Sequence, residues 1–183
     1  MSKNKTVKRK KIHNRNVKCE GFLREDGLWD IEGHLTDTKT YSFKSDSRGE
    51  VTTGTPIHDM TIRLTLNDDL VIMDVNTIMK SHPYSICPEI TPNFKKLTGL
   101  TIGKGFRKNV YEKVGGTKGC THLVELLFPI ATTAFQTIYS YKMNKNNNKK
   151  YSADKPSLIN SCHSWSESNE VIKKYFPNFY IEK

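Results

Sequence analysis

The sequence predicts an α+β protein in which two antiparallel hairpins form a sheet packed on one face by helices. Three observations carry that expectation. Apolar and polar residues alternate with period two over two stretches of the first half. Turn residues separate the paired runs, and the second half changes to helical patterning that culminates in a long apolar stretch over residues 123–134.

Residues 1–16 are polar and highly charged, which predicts a disordered basic tail ahead of a single domain over 17–183. Within residues 22–34, Asp26-Gly27 stands between two strand-like runs and signals a hairpin. Ile31, Gly33 and Leu35 would share one face of that strand, with Asp30, Glu32 and His34 on the other. Residues 45–54 read as a turn-rich loop. In the next hairpin Met60, Ile62, Leu64 and Leu66 alternate with Thr61, Arg63 and Thr65; Asn67-Asp68-Asp69 turns the chain, and residues 70–79 return it. Residues 82–90 form a loop punctuated by Pro83 and Pro88. Thr91-Pro92 then predicts a helix start, with threonine as N-cap and proline at the first position, an apolar stripe at Phe94 and Leu97, and a stop at Gly99. A further helix is expected over 106–114, ended by Gly115-Gly116. Gly119-Cys120-Thr121-His122 leads into the longest one, about residues 121–142, which Pro129 should kink or locally unwind. A flexible Asn/Lys loop near 142–150 and a short helix over 170–175 complete the chain.

The length of 183 residues suits one domain with a full core. No run approaches the roughly 20 apolar residues that span a bilayer. The basic N-terminus has no apolar segment behind it, so a cytoplasmic location without membrane contact is expected. The formal net charge of +10 is unevenly placed. The first 18 residues hold eight Lys/Arg and no acid, the tract 142–150 holds four more, and the remaining body carries 17 bases against 19 acids. Charge on a tail and a loop rather than on a folded face argues against a nucleic-acid-binding domain beyond weak tail contact, and leaves room for a protein partner.

Four cysteines in a chain of this size, without a signal peptide, suggest metal ligands or nucleophiles rather than disulfides. Cys87 lies between two prolines. Cys120 and His122 follow glycines at the start of a buried helix, where the helix N-terminus favours a thiolate. His58 lies just before a strand. Cys87, Cys120, His122 and His58 are therefore the candidate ligands for zinc or iron, with Cys162 and His163 as a second pair. Paired CxxC knuckles, HExxH and a glycine-rich phosphate loop are all missing from the sequence. The candidate catalytic residues are Cys120, His34, Asp37 and Asp59; His34 and Asp37 come from a polar stretch over residues 28–39 that, with Trp29, would wall a pocket, and Asp59 is one of several nearby carboxylates.

The segments Arg24-Glu25-Asp26-Gly27-Leu28-Trp29-Asp30-Ile31-Glu32-Gly33-His34-Leu35-Thr36-Asp37, Gly54-Thr55-Pro56-Ile57-His58-Asp59-Met60, Tyr84-Ser85-Ile86-Cys87-Pro88 and Gly119-Cys120-Thr121-His122-Leu123 resemble the bacterial domain-of-unknown-function family 2889, as does the tail with Cys162-His163 and Tyr175-Phe176-Pro177. That resemblance implies no activity. A weaker one is to the iron–sulfur cluster scaffold proteins, in which three cysteines and a His or Asp hold zinc or a nascent cluster. It implies that Cys87 and Cys120 match the second and third cysteines, with His122 near the adjacent histidine. His58 stands in place of the first cysteine, which removes persulfide chemistry there and leaves a mononuclear Cys₂His₂ site.

Three function classes follow. The first is a Cys/His metal-site protein with zinc or iron in a structural, scaffold or catalytic role. The second is a metal-independent thiol enzyme with Cys120 as nucleophile and a histidine as base. The third is a non-catalytic interaction module whose basic tail docks an acidic partner.

Overall fold

The structure is a computed structural model that describes residues 7–145, 155–156 and 158–182. By its internal contacts the chain divides into two compact units, residues 1–142 and 143–183.

The larger unit is built on a four-stranded antiparallel sheet in the order β1-β2-β5-β6, with β1 at His13–Leu23, β2 at Trp29–Lys39, β5 at Pro56–Leu66 and β6 at Ile72–Ser81. Both expected hairpins are present: β1 pairs with β2 around the Asp26-Gly27 turn, and β5 pairs with β6 around Asn67-Asp68-Asp69. In the second turn the Asn67 side-chain carbonyl accepts from the Asp69 and Val71 N–H groups at 3.0 and 2.9 Å, holding Leu70 in a left-handed conformation (φ 62°). The loop expected over 45–54 is partly ordered as a small ribbon that begins before it, β3 at Phe43–Ser45 paired with β4 at Gly49–Val51.

The tail expectation is corrected at its inner end. Residues 13–16, assigned to a disordered segment, are strand, because β1 extends the ladder to His13↔Lys39 and carries side chains that neutralise a buried acid. Residues 1–6 of that tail lie outside the described residues.

Period-two burial is strict along β2. Trp29, Ile31, Gly33, Leu35 and Asp37 are buried, while Asp30, Glu32, His34 and Thr36 stay partly exposed on the other face. Met60, Ile62, Leu64 and Leu66 of β5 extend the buried face, and the helices cover it. The helix placed at Thr91-Pro92 begins earlier, as a 3-10 helix over Cys87–Leu97 with Pro88 in its first turn and Pro92 inside it. Thr91 is not the cap; its hydroxyl donates to the Pro88 carbonyl at 2.8 Å. The next helix, α1 at Phe106–Val114, is as expected and buries Phe106, Val110 and Val114.

The long helix α2 covers Thr121–Lys145 and runs on through Pro129. The Asn/Lys loop expected near 142–150 starts later: residues 142–145 belong to α2, and residues 146–150 lie outside the described residues. Leu123, Leu126, Leu127, Ile130 and Ala134 bury one face of α2 against the sheet. Two glycines let it approach. A Cβ at Gly33 would run into the end of the Ile130 side chain, and one at Gly21 would overlap the branched side chain of Thr137. No helix among the described residues is long and apolar enough to cross a membrane.

The smaller unit has its own apolar cluster of Ile159, Ile172 and Phe176, with Trp165 packed at 5.5 Å from the Phe176 ring. Its helix α3, Glu170–Tyr175, is capped by the Asn169 side chain, which accepts from the Glu170 N–H at 2.8 Å.

Candidate functional site

One rung of the sheet carries the polar chemistry of the buried face. Arg15 of β1, Asp37 of β2 and His58 of β5 are cross-strand partners in register. All three point toward α2, at the end of the apolar stripe formed by Leu35 and Met60. The β2–β5 register shifts immediately after Asp37. Such irregularities commonly border functional positions because they re-aim a side chain.

Asp37 is 1% exposed, so its charge must be satisfied by protein groups. Arg15 grips it in a two-point fork, Nε donating to Oδ1 and Nη2 to Oδ2, both at 2.8 Å. The carboxylate only accepts, so the histidines around it supply the protons. His13 Nε2–H donates to Oδ1 at 3.0 Å and His58 Nδ1–H to Oδ2 at 3.0 Å. His58 therefore keeps a lone pair on Nε2.

The helix adds the roof. His122, in the first turn of α2, lies over His58 with ring centroids 3.7 Å apart and planes inclined by 33°. Its Nε2 is 3.8 Å from Asp37 Oδ2. Glu125 follows three residues later on the same helix face and accepts from Arg15 Nη1 at 2.9 Å. Arg15 thus spans two carboxylates.

These contacts set the protonation. Burial by itself would raise the Asp37 carboxyl, but the fork from Arg15 and the hydrogen bonds from His13 and His58 hold it at about 2. Burial lowers His58, and the charge of a neighbouring His122 lowers it further, against the pull of Asp37. Burial and the Arg15 charge lower His122. The site is an ionised carboxylate beside two imidazoles biased toward the neutral form.

Of the expected ligands, the structure brings His58 and His122 together and adds Asp37, which the sequence had offered as a catalytic candidate. Ligand atoms of these three all lie within 4.8 Å of one another. Cys87 and Cys120 do not belong to this group. Cys87 opens the 3-10 helix beyond the end of β6. Cys120 precedes the first turn of α2 and packs against the apolar core, with its Sγ 3.9 Å from His122 Nδ1. His34 and Asp59 pair with each other, His34 Nε2–H donating to Asp59 Oδ1 at 2.8 Å, on the opposite face of the sheet, as strand alternation requires. Cys162 and His163 belong to the smaller unit, Cys162 as an exposed thiol next to a short 3-10 turn at His163–Trp165. Sequence reasoning passed over Arg15, His13 and Glu125. The first two lie in the stretch expected to be a tail, where residues 13–16 are polar at every position and leave no apolar alternation to mark a strand. Glu125 was legible as the helical neighbour of His122 at i+3.

A profile of the family described as "Protein of unknown function (DUF2889)" matches residues 13–136. The chain belongs to this family. In the DUF2889 chain the matched span begins at the first residue of β1 and takes in the whole Arg15–Asp37–His58 rung together with His122 and Glu125. No curated protein and no solved structure matches it. The similarity to iron–sulfur scaffolds read from the sequence has no support among these findings.

Chemically, the DUF2889 site offers one carboxylate and two imidazoles, the donor set that suits zinc, iron(II) and related transition ions better than calcium or magnesium. Ligands about 2 Å from an ion in tetrahedral geometry stand about 3.3 Å apart. The separations of Asp37 Oδ2 from the two imidazole nitrogens, 3.0 and 3.8 Å, fall on either side of that value.

Proposed function

We propose that this is a metal-site protein in which Asp37, His58 and His122 hold a single zinc or iron(II) ion. The observation that carries the reading is the convergence of these three ligand atoms within 4.8 Å, on three separate chain elements. Two imidazoles biased toward neutrality and one ionised carboxylate are already in the protonation states that an ion needs, apart from the proton on His58 Nδ1. The ion would take the place of that shared proton, which moves to His58 Nε2 so that the imidazole stays neutral, and of the Arg15 fork, and Glu125 would keep Arg15 in place. Three protein ligands leave coordination positions for water or a substrate oxygen, so the set favours a catalytic or sensing role over a closed structural one.

The test is metal analysis of protein purified without chelator and without oxygen, followed by titration of the apoprotein with zinc and iron(II). About one ion per chain is expected. It should be lost in His58→Ala and in His122→Ala and kept in Cys87→Ala. A wild-type protein that carries no ion and shows no uptake in titration removes the reading. Loss of metal in Cys87→Ala with retention in His58→Ala restores the cysteine-based donor set expected from sequence.

A second reading rests on a separate observation, the 3.9 Å approach of the Cys120 thiol to His122 Nδ1. There Cys120 is a nucleophile and His122 its base, with no ion involved. Rapid alkylation of Cys120 near pH 6 in metal-free protein, slowed in His122→Ala, is its signature; a thiol that alkylates like a free cysteine excludes it.

A further inference from the structure

The two edges of the sheet differ among the described residues. At β6 the chain returns alongside: the Ile72 N–H donates to the Leu100 carbonyl and the Gly99 N–H to the Ile72 carbonyl, both at 2.8 Å, and Val71 bridges Thr101. β1 has no such cover among the described residues. It is 11 residues long, and Ile12, Val17, Phe22 and Leu23 at or within it are 46–47% exposed.

The register tells which backbone groups face outward. Thr40 N–H donates to the Ile12 carbonyl and Arg24 N–H to the Leu28 carbonyl, at the two ends of a β1–β2 ladder without a shift. Hydrogen-bonded pairs alternate along an antiparallel ladder. The even-numbered residues of β1 therefore bond to β2, and the N–H and C=O groups of Arg15, Val17, Cys19, Gly21 and Leu23 point away from the sheet. No backbone partner of these groups occurs among the described residues.

An uncovered edge of this length recruits another strand unless its charges forbid it. Here the charges choose the partner. Lys18 and Glu20 lie on the open face of the sheet, 67% and 47% exposed, with Nζ and Oε1 2.8 Å apart. Two copies of β1 that pair antiparallel about a two-fold axis at Cys19 put each Lys18 directly opposite the other copy's Glu20, so four alternating charges close a ring. The same register sets Val17 opposite Gly21 and brings outward-facing residues into mutual hydrogen-bonded pairs. An axis at residue 17, 18, 20 or 21 sets Lys18 against Asn16, another Lys18, Phe22 or Arg24. Among axes that keep the partners of Lys18 and Glu20 within β1, only the one at Cys19 satisfies both charges, and it does so twice.

We propose that the protein forms a symmetric homodimer through β1, joining two four-stranded sheets into one eight-stranded sheet with Cys19 at the two-fold axis. The contact is isologous and closed, and it leaves no edge on that side for further growth. It is independent of the metal reading. Arg15 enters the pairing through its backbone, while its side chain remains on the helix face with Asp37.

The experiment is sedimentation of the full chain over a concentration series, wild type against charge variants. Wild type should dimerise reversibly. Lys18→Glu gathers four carboxylates at the axis and Glu20→Lys gathers four ammonium groups, so each alone should sediment as a monomer with self-association weakened by roughly tenfold or more. An equimolar mixture of the two single variants should form a heterodimer, and K18E/E20K in one chain should restore the homodimer. Val17→Pro removes one outward N–H without touching the ladder to β2, and should also yield a folded monomer. A wild-type chain that stays monomeric throughout overturns the proposal, as does a dimer that both single charge variants leave intact. If Val17→Pro does not fold, the charge-swap pair decides the matter alone.

Discussion

Arg15 and Asp37 are the residues on which the site turns, and their partnership poses a competition. A guanidinium that forks onto a 1% exposed carboxylate occupies both oxygens an ion would need. Glu125 offers that guanidinium a second anchor at 2.9 Å, so it has somewhere to remain when Asp37 is taken. Arg15→Gln should then act in two opposed directions. Folding stability should fall by about 1–3 kcal/mol, because a buried carboxylate loses its charged partner while His13 and His58 still donate to it. Affinity for zinc should rise, by roughly tenfold, because a fixed positive charge beside the ion is removed. Calorimetric titration of the variant with zinc, alongside denaturant unfolding of its metal-free form, separates the two; weaker zinc binding would show that Arg15 positions Asp37 instead of competing for it. Asp37 itself was legible in the sequence as a catalytic candidate beside His34 and Asp59, not as a partner of His58 and His122. Its distinction comes from parity, since it is the last buried-face residue of β2 before the register shift, and the shift depends on cross-strand geometry that no local pattern encodes.

At the scale of elements, the clearest agreement between sequence and structure lies where one periodicity dominates. β2, β5, β6, α1 and α3 were readable because alternation, turn chemistry and glycine stops all point the same way. β1 was hidden by its charge: as an edge strand it is exposed on both faces, so its composition resembles a tail. The helix at 87–97 was shifted because Thr91-Pro92 is a stronger local cap signal than Cys87-Pro88, yet the chain tightens into 3-10 geometry that tolerates Pro92 inside. How closely α2 packs was also invisible, since it rests on two glycines acting at long range. Their costs should differ. At Gly33 an added methyl meets the flexible end of Ile130, which has room to rotate; at Gly21 it meets the oxygen, methyl and Cβ of Thr137, a β-branched side chain with little rotamer freedom on a helix. Gly21→Ala should therefore destabilise by about 1–3 kcal/mol and Gly33→Ala by less. Thr137→Ala in the Gly21→Ala background should recover most of the loss. Thermal unfolding of the four proteins checks this, and a Gly33→Ala chain that is the less stable single variant contradicts it.

For the whole molecule, stability should depend on pH in two limbs, each traceable to the site. His58 and His122 are lowered from 6.5 in the folded protein, so in acid the unfolded chain takes up protons that the native one refuses. The stability of burying them neutral is complete above pH 6.5 and declines as the pH falls below it. Asp37 acts later. Its carboxyl is lowered from 3.8 to about 2, so the stabilisation present above pH 3.8 is lost as the pH falls toward 2, a contribution on the order of 2 kcal/mol. Both limbs have the same sign, and a bound ion would steepen the first, because protons compete with it for the same imidazoles. Denaturant unfolding measured between pH 8 and pH 2, with and without chelator, should show stability falling in two steps in metal-free protein and an additional loss near the first step when zinc is present. In H58Q/H122Q the first step should vanish while the acid step at Asp37 remains. A first step that persists in that double variant would place the neutral-range titration in other groups and remove the histidine pair from the site's pH response.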